Sequence, residues 1–202
     1  MKICHVIAAG ENSPRLLPRK GPGDLVIAAD AGLTFLRENG VEPDLFVGDG
    51  DSLGFLPEDL PGVILPTVKD DTDTQAALRA GLERGYRRFF LYGALGGKRP
   101  SHALSNLQDL LFLAENGAAG VILDERCRME LLSKGENRFT QKGGYFSLFP
   151  LLGDAAVSIH GARYEGEKIV LKPGSSLGVS NEPKGETVVT LLSGTVLLIR
   201  EA

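Results

Sequence analysis

The feature that most constrains the fold is an alternation, in the first half of the sequence, of short apolar runs with segments of helical character. The apolar runs cover residues 2–9, 25–29, 45–47, 63–65, 88–92 and 121–123. The helical segments between them cover residues 31–39, 71–84 and 101–116, and a glycine follows each one. Because crossover connections join strands that alternate with helices, this pattern predicts an α/β N-terminal domain, with a mostly parallel sheet and helices on both faces.

From about Met129 onward the pattern changes to short apolar runs separated by Gly, Pro and Asn, with no further long helix. These runs predict strands over residues 145–149, 156–160, 168–171, 187–191 and 195–199. The second part therefore predicts a small antiparallel sandwich or barrel. We expect two domains, over residues 1–126 and 127–202.

Charge and cysteine content narrow the classes of partner. The net charge of −4 argues against nucleic acid as the main partner, because phosphate backbones select basic surfaces. No apolar run approaches the roughly 20 residues that span a bilayer, so we expect no membrane partner. Cys4 and Cys127 are too few for a disulfide framework or a zinc site, and we expect a cytoplasmic protein.

Acidic and glycine-rich segments follow four of the predicted strands. In open parallel sheets, ligands bind at the carboxyl ends of the strands. The segments therefore gather at one edge of the predicted sheet. They are Asp30-Ala31-Gly32, the segment 48–52 (GDGDS), the segment 69–73 (KDDTD) and the segment 93–99 (GALGGKR).

Two pairs of aspartates stand out at this edge. Asp49 and Asp51 are two residues apart, as are Asp71 and Asp73, and side chains at this spacing in an extended segment point to the same side. Clustered carboxylates repel one another unless a cation offsets their charge, and Mg²⁺ prefers oxygen ligands. The pairs favour a Mg²⁺ site; the alternatives are a solvated turn for the first pair and helix capping for the second.

The glycine-rich turn at residues 93–97 is suited to bringing backbone amides close to a phosphate. Lys98 and Arg99 follow it, and this basic pair either clamps phosphate oxygens or lies in a solvated loop. Ser101 is predicted to cap the next helix. His102, in the first turn of that helix, is either structural or catalytic.

These motifs, in this order, resemble those of the thiamin pyrophosphokinases, and the resemblance covers almost the whole chain. The first half contributes the four segments above together with Pro43-Asp44 and residues 102–106. The second half contributes residues 146–150, 161–164 and 178–182, which resemble that family's thiamin-binding sandwich domain.

The resemblance implies a homodimer of two-domain subunits, with the active site at the dimer interface. The α/β domain would bind ATP and Mg²⁺, and the β-sandwich domain would bind thiamin, partly from the partner subunit. The residues implied fall into three groups. The metal ligands would be Asp49, Asp51, Asp71 and Asp73; the catalytic residues Asp71, Asp73, Arg99 and His102; and the ligand-binding residues Asp30, Gly96, Gly97, Lys98, Ser180 and Asn181.

The expected reaction is in-line attack of the thiamin hydroxyl on the β-phosphorus of ATP, with AMP leaving and either Asp71 or Asp73 accepting the proton. One departure from the family pattern is visible. The family usually has Gly-Gly-Arg-x-Asp-His, whereas residues 97–102 read GKRPSH, with one extra residue and Ser101 in place of the acid. For Ser180 and Asn181 the alternative is a plain β-turn.

Three other functions stay open on the sequence alone. One is a pyrophosphokinase for another hydroxymethyl heterocycle, such as a pterin. Another is a non-catalytic module that binds thiamin or a nucleotide, which the serine at position 101 favours. The last is an acidic structural or interaction domain without a small ligand.

Overall fold

A computed structural model describes residues 2–51, 53–66, 71–97 and 99–201. The chain divides into two compact units, over residues 1–125 and 126–202. The first consists of parallel strands and helices, and the second is built from strands. No helix in the part of the chain described is long and apolar enough to cross a membrane.

The described residues of the first unit form six strands and three α-helices, and a short 3₁₀ turn over Pro14–Leu16. The strands are β1 (Cys4–Ile7), β2 (Leu25–Ala29), β3 (Leu45–Gly48), β4 (Gly62–Ile64), β5 (Arg88–Tyr92) and β6 (Ala119–Leu123). The helices are α1 (Gly32–Glu38), α2 (Asp73–Glu83) and α3 (Pro100–Glu115).

The six strands pair in the order β4-β3-β2-β1-β5-β6, and every pairing is parallel. Strand β1 lies between β2 and β5. The chain adds strands on one side of β1 as far as β4 and then crosses to the other side to form β5. The gap between β1 and β5 is therefore the switch point of the sheet, where open α/β sheets bind their ligands.

Helices pack on both faces of β1. Alternate residues of a strand point to opposite faces, so Cys4 and Ile7 face opposite ways. Cys4 and its strand neighbour Phe89 approach Gly81 of α2. Ile7 shares an apolar cluster with Leu33 of α1. Helix α3 packs on β6 and also contacts α2.

The start of α3 differs from the sequence prediction. Ser101 was expected to be the N-cap, but Arg99 occupies that position, and the helix begins at Pro100. Proline suits the first helical position because its fixed φ is already helical and the N–H it lacks would have no partner there. Ser101 therefore lies inside the first turn and is exposed.

Between residues 126 and 201 the second unit forms seven strands, and the pairings among them are antiparallel. Strand β13 lies between β7 and β9, and a four-stranded sheet has the order β11-β10-β12-β8. The strands are β7 (Cys127–Leu131), β8 (Gly135–Thr140), β9 (Tyr145–Pro150), β10 (Ala155–Ala162), β11 (Gly166–Leu171), β12 (Pro183–Ser193) and β13 (Val196–Glu201).

One apolar cluster holds this unit together, and both sets of strands contribute to it. Phe146 of β9 meets Phe139 of β8 edge to face, with ring centroids 5.3 Å apart. Val157 of β10 and Leu198 of β13 belong to the same cluster. Alternate residues along each strand point to the inside of the unit, and these positions carry the apolar side chains.

Two strands of this unit, β7 and β8, were not predicted. β7 is half-buried throughout, and β8 contains a single fully buried residue, Phe139. Arg128 of β7 forms an ion pair with Glu130 of the same strand, at 2.9 Å. Such partly exposed strands lack the apolar alternation that marks a strand in the sequence.

Candidate functional site

A cleft of about 500 Å³ lies at the switch point of the first unit. Its walls come from the segments that follow β1, β2, β3 and β5 and from the first turns of α2 and α3. This is the carboxyl edge of the sheet, where the sequence predicted the acidic and glycine-rich segments to gather.

Three aspartates converge at this edge. Ligand oxygens of Asp30, Asp49 and Asp51 all lie within 4.8 Å of one another. Asp30 is buried, Asp49 is half-buried and Asp51 is exposed. The structure thus groups Asp30, which was expected to bind nucleotide, with the first of the two predicted metal-binding pairs.

Local backbone geometry brings these carboxylates together. Asp30 has a left-handed backbone with φ of 46°, and its N–H donates to Val47 O at 3.0 Å. This bond ties the end of β2 to the end of β3. The N–H of Asp51 donates to Asp49 Oδ1 at 3.2 Å, which closes a tight acidic turn. A left-handed aspartate is uncommon and is held only by surrounding structure.

Gly32 explains why a glycine follows Asp30 so closely. A Cβ at this position would overlap the carbonyl oxygen of Ile7 at the end of β1. The start of α1 therefore approaches the backbone of β1 closely, and only glycine permits that approach. The Asp30-Ala31-Gly32 segment is thus held against the strand beside the switch point.

The second aspartate pair separates at the start of α2. Asp73 is in the first turn of the helix and lines the cleft together with Thr72 and Thr74. Asp71 instead pairs with Arg79, whose Nε donates to Asp71 Oδ2 at 2.7 Å. Thr72 caps the helix by accepting a hydrogen bond from the N–H of Gln75 at 3.1 Å.

The glycine-rich turn also lines the cleft, and two contacts hold it there. The buried Asn106 of α3 donates from Nδ2 to Ala94 O at 2.7 Å. Gly96 has φ of 70°, and a Cβ on it would come within 2.5 Å of the carboxyl carbon of Glu11. The turn therefore depends on a residue without a side chain at this point.

The predicted catalytic residues of α3 and its N-cap line the same cleft. Arg99 and His102 both do so from the start of α3, and both are exposed. Lys98, predicted to bind phosphate, lies outside the described residues, as do Ser52, Lys69 and Asp70 of the acidic motifs.

Glu11 and Asn106 are among the lining residues that were not selected from the sequence as site residues. Glu11 lies in the segment that follows β1, and Asn106 lies two turns into α3. The rule that polar residues after strands gather at the carboxyl edge would have found Glu11, had it been applied to the first strand. Asn106 gives only a weak signal, because a buried amide inside a helix is recognised only from its partner.

A buried carboxyl group lies behind the start of α2. Asp109 of α3 is 1% exposed and accepts a hydrogen bond from Gln75 Nε2 at 3.2 Å. Burial raises its pKa to about 6; the Gln75 bond opposes this effect, and the neighbouring charge of Asp71 adds to it.

Ser180 and Asn181 lie in the second unit, in the turn before β12. Ser180 is exposed and left-handed, with φ of 58°, and its N–H donates to Ser147 Oγ at 3.0 Å. Asn181 is buried; its Oδ1 accepts from Tyr164 N at 3.0 Å, and its Nδ2 donates to Tyr164 O at 2.8 Å. Much of this amide is therefore used to hold the turn.

The donor set of the cleft fits a hard divalent cation. Mg²⁺ binds oxygen at about 2.0–2.1 Å, so oxygens on opposite sides of the ion lie about 4 Å apart. The three carboxylates that meet within 4.8 Å need only small adjustments to reach that spacing.

Two family models match the chain. "Thiamin pyrophosphokinase, catalytic domain" matches residues 22–121, and "Thiamin pyrophosphokinase, vitamin B1 binding domain" matches residues 132–196. The two matches fall in the first and second units respectively. Among curated proteins, no sequence matches this chain.

Solved structures are similar over nearly the whole chain. A thiamine pyrophosphokinase from Bacillus subtilis is 24% identical, with a TM-score of 0.86 and 99% of each chain covered. One from Geobacillus thermodenitrificans is 27% identical, with a TM-score of 0.82, 99% of this chain and 97% of its own covered. One from Candida albicans is 16% identical, with a TM-score of 0.74, 100% of this chain and 89% of its own covered.

Proposed function

The chain belongs to the thiamin pyrophosphokinase family, and from this premise we propose that the cleft of its first unit binds ATP with Mg²⁺ and that its second unit binds thiamin. The function is transfer of a pyrophosphoryl group from ATP to the hydroxyl of thiamin, which gives thiamin diphosphate and AMP. The observation that carries the assignment of residues is the convergence of Asp30, Asp49 and Asp51 beside the glycine-rich turn.

The scaffold of this proposal is a parallel sheet covered on both faces, followed by a two-sheet β-sandwich. Contacts of α1 and α2 with opposite faces of β1 support a sheet covered on both faces. The apolar core that both sets of strands share in the second unit supports a sandwich.

In the proposed site, Asp30, Asp49 and Asp51 would hold Mg²⁺, which would offset charge on the phosphate oxygens. Backbone amides at Gly96 and Gly97 would contact the phosphates. Arg99 and Lys98 would add cationic hydrogen bonds to the transferred group, and His102 lies on the same wall.

The reaction in this site is an in-line displacement. The thiamin hydroxyl oxygen forms a bond to the β-phosphorus of ATP, the bond from that phosphorus to the oxygen of AMP breaks, and AMP leaves with the electron pair. Asp73 accepts the hydroxyl proton. Asp73 is proposed instead of Asp71 because its side chain lines the cleft, whereas Asp71 is not among the lining residues and contacts Arg79.

In the second unit, the turn around Ser180 is the proposed site for the thiamin rings. Exposed apolar side chains surround this turn: Tyr164, Leu177 and Val179 are each more than 40% exposed. Ser180 would contact the pyrimidine directly, and Asn181 would hold the turn and offer its remaining N–H.

A homodimer, in which the thiamin-binding unit of one copy serves the cleft of another, completes the proposal. We also propose a cytoplasmic location, because two cysteines are too few for the disulfide framework of a secreted domain.

The test is an assay of AMP release from ATP by the purified protein. We expect AMP to form only when thiamin and Mg²⁺ are both present, and a chelator to abolish the reaction. Asp73→Asn should lower turnover by roughly 10²–10⁴-fold, the usual contribution of a general base. Asp154→Asn, an exposed acid in the second unit, is the matched control and should retain wild-type turnover.

Three results would contradict the proposal. Release of ADP would indicate transfer of a single phosphoryl group. Faster AMP release with a hydroxymethyl pterin than with thiamin would change the acceptor. Binding of thiamin without any AMP release would identify a non-catalytic module.

A further inference from the structure

A second cleft, of about 350 Å³, lies at the opposite edge of the sheet in the first unit. It is lined by Lys2, Arg84, Gly85, Tyr86, Arg87 and Arg88, and we call it the basic cleft. Lys2 precedes β1 and Arg88 begins β5, so the basic cleft lies at the amino ends of these strands. The candidate active cleft lies at their carboxyl ends. The two clefts are separated by the length of β5, which is roughly 16 Å for its five residues.

The end of α2 holds two of these cations in place. Gly85 N donates to Leu82 O at 2.9 Å, and Tyr86 N donates to Gly81 O at 3.1 Å, which closes the helix. The guanidinium of Arg84 donates to Ala80 O at 2.8 Å.

Arg87 is fixed by the same helix end. Its Nη1 donates to Leu82 O at 3.1 Å and to Tyr86 O at 2.7 Å. Cations near the C-terminus of a helix are stabilised by its dipole, so capping accounts for the position of both arginines. It does not use up their hydrogen-bonding capacity, because each guanidinium has five N–H groups.

Positive charge predominates among the residues that line the basic cleft. Within the part of the chain that the structure describes, no carboxylate forms an ion pair with Lys2, Arg84 or Arg87. None of the six lining residues is acidic. This concentration of positive charge occurs in a chain whose net charge is −4. Fixed guanidinium groups without a carboxylate partner are suited to binding phosphate oxygens.

We propose that the basic cleft binds a diphosphate group, carried by free pyrophosphate or by a diphosphate ester. Lys2, Arg84 and Arg87 line the basic cleft together, and several cations in one cleft favour an anion that carries several charges. The compact cleft and the net charge of −4 disfavour nucleic acid, which needs an extended basic surface. This site is independent of the catalytic cleft.

The test is calorimetric titration of the whole protein with inorganic pyrophosphate, in the presence of a chelator so that metal-dependent binding in the active cleft is suppressed. Lys2→Gln and Arg87→Gln should each weaken binding by roughly tenfold, since each removes a charged hydrogen bond. Arg19→Gln removes the same charge from an exposed position outside the basic cleft and should leave the affinity unchanged.

Folding of the variants is controlled in two ways. The side-chain hydrogen bonds to the end of α2 come from Arg84 and Arg87, so replacement of Lys2 leaves them in place. The glutamine in Arg87→Gln keeps an amide donor, and its thermal unfolding is measured beside the titration.

A parallel titration with thiamin diphosphate identifies the carrier, with thiamin as the blank. If both variants bind pyrophosphate and thiamin diphosphate more weakly by the same factor, the site recognises the diphosphate group itself. If only the affinity for pyrophosphate falls, the site is limited to the free anion. Absence of pyrophosphate binding at millimolar concentration, or unchanged affinity in both variants, would overturn the proposal and leave the cations as helix caps. AMP release in the same variants should stay at the wild-type rate, so either proposal can fail alone.

Discussion

Asp109 is the most buried of the described carboxyl side chains, with 1% of its surface exposed. It lies between α2 and α3, and its Oδ2 meets no hydrogen-bond donor among the described residues. Burial is the main cause that raises its pKa to about 6, and the negative charge of Asp71 acts in the same direction. Ionised Asp109 therefore destabilises the folded protein at neutral pH.

Replacing Asp109 by asparagine should stabilise the protein in a pH-dependent way. The native carboxyl keeps its proton between about pH 4 and pH 6, where the unfolded chain loses it, so the free energy of unfolding falls as pH rises through this window. Asp109→Asn avoids that loss and can still accept the Gln75 hydrogen bond. At pH 7.5 we expect a gain of at most about 3 kcal/mol, from a shift of about two pKa units.

Urea unfolding at several pH values between 4 and 8 measures this effect, with the exposed Asp154→Asn as control. The gain should shrink towards pH 4, where Asp109 is protonated in both states. A difference between variant and wild type that does not change with pH would show that the Asp109 carboxyl is not buried in solution.

At the scale of single residues, the sequence predicted the location of the site. It did not predict which side chains lie close together there. The rule that ligands bind at the carboxyl ends of strands located Asp30, Asp49 and Asp51 at one edge. It could not group them, because the group depends on the left-handed Asp30 and on its bond to Val47. The ion pair between Asp71 and Arg79 could not be predicted either, because the sequence does not show in which direction a side chain points.

At the scale of elements, α2 depends on close packing against the sheet. Its residue Gly81 lies over β1 and β5, where an added Cβ would be 2.6 Å from Phe89 Cε1 and 2.9 Å from Cys4 Sγ. Both neighbours are fully buried and cannot move into solvent. Gly81 thus sets how closely the helix that begins with Asp73 approaches the strands.

Gly81→Ala should therefore destabilise the protein, although alanine is the better helix former. Overpacking of a core costs about 1–3 kcal/mol, and the helix preference returns up to about 1 kcal/mol. We expect a net loss of about 1–2 kcal/mol by urea unfolding. The control is Glu83→Ala, an exposed position of the same helix. A Gly81→Ala variant as stable as wild type would mean that the helix lies farther from the sheet than described.

The elements themselves were partly predictable. Strands buried on both faces, such as β1 and β2, have continuous apolar sequences and were recognised from them. β7 and β8 were missed because charged residues such as Arg128 and Arg138 interrupt them, and pairing with β13 and β12 decides their structure. Such long-range pairing is not encoded in the local pattern.

At the scale of the whole molecule, the two units differ in architecture and in the family model that each matches. The first presents acids and a glycine-rich turn at one edge of a parallel sheet. The second presents an exposed turn with apolar neighbours. Such a division fits a reaction that joins a polyphosphate to a heterocyclic alcohol.

Binding of a non-reacting ATP analogue with and without Mg²⁺ tests the central claim most directly. If the carboxylates of Asp49 and Asp51 join Mg²⁺ to the triphosphate, Mg²⁺ should raise the affinity of the wild-type protein by roughly tenfold or more. This gain should disappear in Asp49→Asn and Asp51→Asn and persist in Asp154→Asn. An equal gain from Mg²⁺ in the wild type and in both cleft variants would contradict the account.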